Sequence, residues 1–356
     1  MTDIAAIASQ VKHNCNISDA GYWGYYSPCG LLLRMRDLYR AEHAIKPRQQ
    51  IRAEEIGTWL TEREALWQEL ENSEYRDIEI SGRLFRPFDA KGINAVLEQQ
   101  GYVYSAGYGN FLKPLFVLAR CARRQRRGRF TLYMLGPELA RGLATSPAMI
   151  QGNTIILRSE AMNIFFWGKY EEMRTMKCSG VLSAAFAEYG LNREAPQSLS
   201  SERLDELMET VAAAELDTLV HHEIGEASQR RVMGRWWKEL LAKLPYSRAE
   251  LFLRALKDVM ADTCASGTLA HIIGEGKRGS LAFYVALLDG YRKLIFPEIM
   301  YAYGEFTATG NWGLIEQARV EGYKRAGDSV MILKALSGKR MASAEMIEEK
   351  LIPGLV

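Results

Sequence analysis

Residues 200–226 read SSERLDELMETVAAAELDTLVHHEIGE. Leu204, Leu207, Met208 and Val211 recur three and four residues apart, the spacing of one helix face. Ser200 is a good N-cap, so a helix opens there and runs up to or through the closing His222-Glu223-Ile224-Gly225-Glu226. On a helix, residues four apart stand one turn above each other, so His222 and Glu226 point the same way. Glu223 adjoins His222. Three side chains able to bind metal or move protons therefore gather on one short helical stretch.

Working outward, the chain reads as α+β and predominantly helical. Leu31, Leu32, Met35, Leu38 and Tyr39 predict a helix. Residues 51–72 predict another, with Ile56, Trp59, Leu60, Leu66 and Trp67 on its apolar face. A short helix from Ile93 ends at Gly101, and 101–109 is loop or strand. Residues 111–127 begin apolar and end basic. Phe130–Leu135, bounded by Gly128 and Gly136, and Asn153–Arg158 are β-like. Pro137 with Glu138 suits a helix start. From Ser159 onward the pattern is helical, with one helix over 247–273 and another over 280–295. The expected division is a mostly helical N-terminal domain, 1–127, and a second domain, 128–356, with a small sheet and C-terminal helices.

Composition sets the outer limits. The 356 residues are 48% hydrophobic and 25% charged with net charge +2, an ordinary globular balance with no bias towards nucleic acid or membrane. No apolar run reaches the roughly 18 residues of a membrane helix, and Met1–Lys12 lacks the pattern of a signal peptide. The five cysteines, Cys15, Cys29, Cys121, Cys178 and Cys264, are odd in number and form no C-x-x-C, which predicts reduced thiols and a cytoplasmic setting. Neither a phosphate-cradling G-x-x-x-x-G-K-[ST] nor a G-x-S-x-G nucleophile elbow occurs.

Two residues cannot hold a catalytic metal; a third protein ligand is the usual minimum. The following helix offers Asp258 and Asp262, four apart and set among Leu256, Val259 and Met260. Carboxylates on a buried helix need partners, and a metal with its histidine would supply them. Asp258 is therefore the expected third ligand beside His222 and Glu226, and Asp262 the acceptor for the second ring N–H of His222. The set carries formal charge −2, which balances one divalent ion. Gly225 would let a neighbouring backbone or the substrate approach closely.

This H-H-E-I-G-x helix, followed by a helix with an acidic-x-x-Ala-Asp pattern, resembles the gluzincin class of zinc metallopeptidases. The likeness spans about residues 130–275 in three short patches. Glu226 stands where the class has a second His, and Asp258 where it has Glu. The resemblance implies a zincin-like C-terminal domain, with Asn153–Arg158 as the edge strand that aligns an extended substrate. It implies a metal-dependent hydrolase in which Glu223 deprotonates a metal-bound water, which attacks a peptide or other carbonyl substrate. It favours zinc, with Mn²⁺ or Fe²⁺ as alternatives for a carboxylate-rich set, and it allows divergence to weak or no activity. The whole chain also resembles an uncharacterised bacterial family, which implies nothing about chemistry.

Other residues invite roles. His271, read on the same helix as Cys264 and Thr268, would approach the substrate and stabilise an oxyanion, or else cap a helix end. Tyr291, Tyr301 or Tyr303 would provide a phenolic donor. Glu298 and Glu305 would complete a second metal position or form a solvated face; in an alternative reading His222, Glu223, Glu226, Asp258 and Asp262, joined by Glu298, form a carboxylate-bridged dinuclear redox site. Asn16 or Ser18 would cap a helix. Arg120, Arg123, Arg124, Arg126, Arg127 and Arg129 form the one strong local charge bias. They read as a solvated helix end or, in a third reading, as the docking surface of a non-enzymatic interaction protein. No aromatic residue interleaves them, so nucleic acid is not the expected partner. Neither is a membrane. The sequence does not specify the oligomeric state.

Overall fold

A computed structural model describes residues 3–109, 112–175, 180–193, 195–245, 247–338 and 342–352; Phe111 and Cys178 lie outside them. Two compact units divide at Gly168/Lys169. The architecture is α+β and predominantly helical, as the periodicity indicates.

The first unit opens with α1 (Ile4–Tyr22), α2 (Pro28–Glu42) and α3 (Ala53–Leu70). A two-stranded hairpin, β1 (Ile78–Ile80) and β2 (Arg83–Phe85), precedes α4 (Ala90–Leu97). A five-stranded sheet follows, made of β3 (Tyr102–Tyr108), β4 (Pro114–Arg127), β5 (Phe130–Arg141), β6 (Ala148–Gln151) and β7 (Thr154–Arg158), in the order β3-β4-β5-β7-β6. Among the described strands only β5 and β7 pair parallel. Ile7, Val11 and Cys15 of α1 pack with Ile93, Leu97, Tyr104, Phe116 and Leu118 to form its main core. Asn16 and Ser18 cap no helix. They lie buried within α1, where Asn16 accepts from Arg63 and Ser18 donates to the Pro114 carbonyl.

The expected boundary at 127/128 is corrected here. Gly128, with φ +57, is the turn of the hairpin that joins β4 to β5, so the cut would split one ladder. The basic run is accordingly a strand, although arginine favours helices: β5 pairs with it from Arg127 back to Val117. Nor does Pro137 begin a helix. The β4–β5 register shifts around Cys121, so Gly136 and Pro137 fall where the ladder is irregular and a missing N–H costs little. Glu138 is instead held by Arg158, whose Nε and Nη2 each donate to it at 2.6 Å.

Helix α5 (Ser159–Thr175) carries the division between the units. The second unit, among its described residues, is entirely helical: α6 (Val181–Ala187), α7 (Ala195–Ser198), α8 (Ser201–Ala242), α9 (Arg248–Thr263), α10 (Thr268–Gly274), α11 (Arg278–Ala286), α12 (Gly290–Ile295), α13 (Glu298–Thr309), α14 (Trp312–Gly338) and α15 (Ala344–Leu351). The small sheet thus belongs to the first unit and not to the one carrying the motif helices, which corrects the expected placement of the sheet in the C-terminal domain. Asn153–Arg158 also falls inside the sheet, because β7 is paired by β5 on one side and β6 on the other. No described helix is long and apolar enough to cross a membrane.

Candidate metal centre

Ser200 caps α8 by accepting from the Arg203 N–H, and the helix continues through the motif to Ala242, with a break in helical backbone at Gly234. Ser247 caps α9 by accepting from the Glu250 N–H; the Ser-x-x-Glu spacing is that of a capping box. Buried Leu253, Leu256, Val259 and Met260 hold α9 in the core. Gly225 fixes how closely the two helices meet. A Cβ there would overlap the Ala261 carbonyl, so only glycine allows the approach.

That approach brings the expected ligands together. One donor atom from each of His222, Glu226 and Asp258 lies within 4.8 Å of the others, the sole group of its kind among the described residues. His222 Nε2 is 3.9 Å from Glu226 Oε1. On the other side of the ring, His222 Nδ1 donates to Asp262 Oδ1 at 2.8 Å. The same Asp262 oxygen accepts from the Thr268 hydroxyl at 2.5 Å. The imidazole is thus oriented, with Nε2 turned towards the carboxylates.

Charge is concentrated here. Burial disfavours the imidazolium of His222, but Asp262, through its charge and hydrogen bond, together with Asp258 and Glu223, outweighs it and pushes the pKa up to about 10. Burial pushes the Glu223 carboxyl up to about 7, with Glu226 and Asp258 adding to it against His222 and Lys257. Burial likewise raises Asp258. Lys257 Nζ lies 2.6 Å from Glu226 Oε1.

His271 is not one of this group. Helix α9 stops at Thr263, and the chain turns through Cys264–Gly267 before α10, so 247–273 is not one helix and spacing from Asp262 does not set the face of His271. Its Nε2 lies 3.0 Å from Asp217 Oδ2, and its ring stacks on His221 with centroids 3.9 Å apart. The helix expected over 280–295 is also two, α11 and α12. Of the tyrosines singled out, Tyr301 is exposed and Tyr291 packs edge-on against Phe252. Tyr303 is buried, with Phe306 stacked on its ring. It is Tyr284 whose phenol burial holds in its neutral form, with the charges of Asp262 and Asp258 adding to it. Glu298 pairs with Arg325 and does not join the ligand group.

Lys257 and Tyr284 were missed. Lys257 had a signal, since it adjoins Asp258 on a helix whose charges needed partners. Tyr284 had none: a turn and a third helix bring it in.

Residues 6–158 match the N-terminal domain of a family of unknown function, DUF6866, and residues 163–353 match its C-terminal domain. The chain belongs to this family. Comparison with curated proteins and with solved structures finds no match. The family's two domains meet close to the division between the compact units, and the ligand group lies wholly within the C-terminal DUF6866 domain.

Proposed function

We propose that this protein is a metal-dependent hydrolase that cleaves a carbonyl substrate, a peptide bond being the leading candidate. The observation that carries the reading is the convergence of His222, Glu226 and Asp258, with Asp262 holding the far nitrogen of His222. One imidazole nitrogen and two carboxylate oxygens suit zinc, Mn²⁺ or Fe²⁺, and their charge balances a divalent ion. Bound there, such an ion would supply Lewis acidity to water and to a carbonyl oxygen. Glu223 is the general base: it is buried and adjoins the ligand His222 on the same helix, within reach of a water held by the ion. Asp262 keeps His222 in one tautomer and orientation. The likeness to gluzincins that supports this reading is confined to the two motif helices. We further propose a cytoplasmic setting, which the free thiols of Cys15, Cys29, Cys121 and Cys264 support.

The reading is tested on a fluorogenic peptide library with metal-loaded protein. Glu223→Gln should abolish cleavage and keep the metal; His222→Ala should lose both. Cleavage undiminished in Glu223→Gln would remove Glu223 as base.

A further inference from the structure

Glu226 Oε1 faces two cations' places at once. It is 3.9 Å from His222 Nε2, across the space where an ion would join them, and 2.6 Å from the ammonium of Lys257. Lys257 reaches it from α9, one residue before Asp258, so the ligand carboxylates of both helices adjoin one tethered positive charge. Its charge is also felt at Glu223 and Asp258. We infer that Lys257 is a built-in competitor of the metal: its ammonium neutralises Glu226 in the metal-free site, and an incoming divalent ion displaces it.

This rests on the metal-site reading and concerns how that site is regulated. A carboxylate oxygen committed to an ammonium must give it up, or share it, to ligate an ion, and the displaced ammonium then stands beside a second cation. Both effects weaken binding. Lys257 therefore sets the affinity threshold, so that the site fills only above a certain free metal concentration. Its side chain is 34% exposed, which gives the released amine a way into solvent and limits its hold to about fivefold in affinity.

The experiment is calorimetric titration of chelator-stripped protein with Mn²⁺ and with Zn²⁺. Lys257→Met should bind about fivefold more tightly than the parent chain. Lys257→Arg, which keeps the charge, should stay close to the parent. A second readout uses the parent chain alone: acetylation by an N-hydroxysuccinimide ester, followed by mass spectrometry. Saturating Mn²⁺ should speed labelling of Lys257. Lys277, bonded to the Ala214 carbonyl and Thr218, is the internal control and should not change. Metal bound with equal affinity by parent and Lys257→Met would overturn the inference and leave the metal site standing. So would Lys257 labelling that ignores bound metal, and this decides the matter if Lys257→Met does not fold. No binding by either chain would overturn both readings.

Discussion

His222 is held between opposing demands. As an imidazolium it is favoured in the folded chain, with its pKa pushed up to about 10 from 6.5 by surrounding carboxylates that outweigh its burial. A raised pKa stabilises the metal-free fold fully below about 6.5, and that stabilisation is lost as pH rises through about 10. Metal binding needs the neutral ring and so runs the other way. Apparent affinity for Mn²⁺ should rise about tenfold per pH unit between roughly pH 7 and 9, with close to one proton released per ion. Titration in buffers of different ionisation enthalpy counts that proton. An affinity flat with pH would mean that His222 is already neutral in the metal-free chain and would overturn the raised pKa; loss of binding in His222→Ala tests its place in the ligand set. Much of this residue-scale picture was legible in the sequence, because the i, i+4 pairs His222/Glu226 and Asp258/Asp262 each fix a face on their own helix. His271 was not, because its placement depended on α9 continuing past Thr263. Nothing in the residues 264–267 announced the stop strongly enough to outweigh the helical pattern on either side.

Between elements, glycine and arginine each explain a contact or its avoidance. Gly225→Ala would press a methyl group into the Ala261 carbonyl. Overpacking of this kind costs about 1–3 kcal/mol, and moving α9 away would also carry Asp258 from its partners. Denaturant unfolding and metal titration should therefore both worsen. Unchanged affinity with lowered stability would separate packing from ligand placement. The sequence showed that a close approach was useful here, but not which carbonyl would fill the space. The arginine strand went unread for a different reason. Its composition suits a helix, and only pairing with β5 makes it a strand. Beyond Arg120, β3 no longer runs beside β4, and Arg123, Arg124 and Arg126 are exposed along that stretch. Charged side chains on an outer strand discourage pairing between molecules. Replacing Arg123, Arg124 and Arg126 together with threonine should increase self-association over the parent chain at equal concentration, as measured by light scattering. No increase would mean that the charges do not guard this edge.

At the scale of the whole molecule, the chain is a mixed α+β unit and a helical unit. The boundary was misplaced because the change at residue 128 marks a hairpin turn. The true division falls inside α5, where no glycine or proline cluster interrupts the helical pattern. His222, Glu223, Glu226, Asp258 and Asp262 all lie in the second unit, so metal should stabilise that unit by mass action. At 100 times its dissociation constant, an ion adds about 2.7 kcal/mol, a rise of roughly 5–10 °C in the melting temperature of the helical unit. His222→Ala should show no rise. An equal rise in both would place the ion elsewhere. Elemental analysis of protein purified without chelator, beside His222→Ala, tests the central claim most directly. Close to one metal per chain, lost in the variant, is the predicted result; no metal in either, and none taken up from Zn²⁺, Mn²⁺ or Fe²⁺, would contradict it.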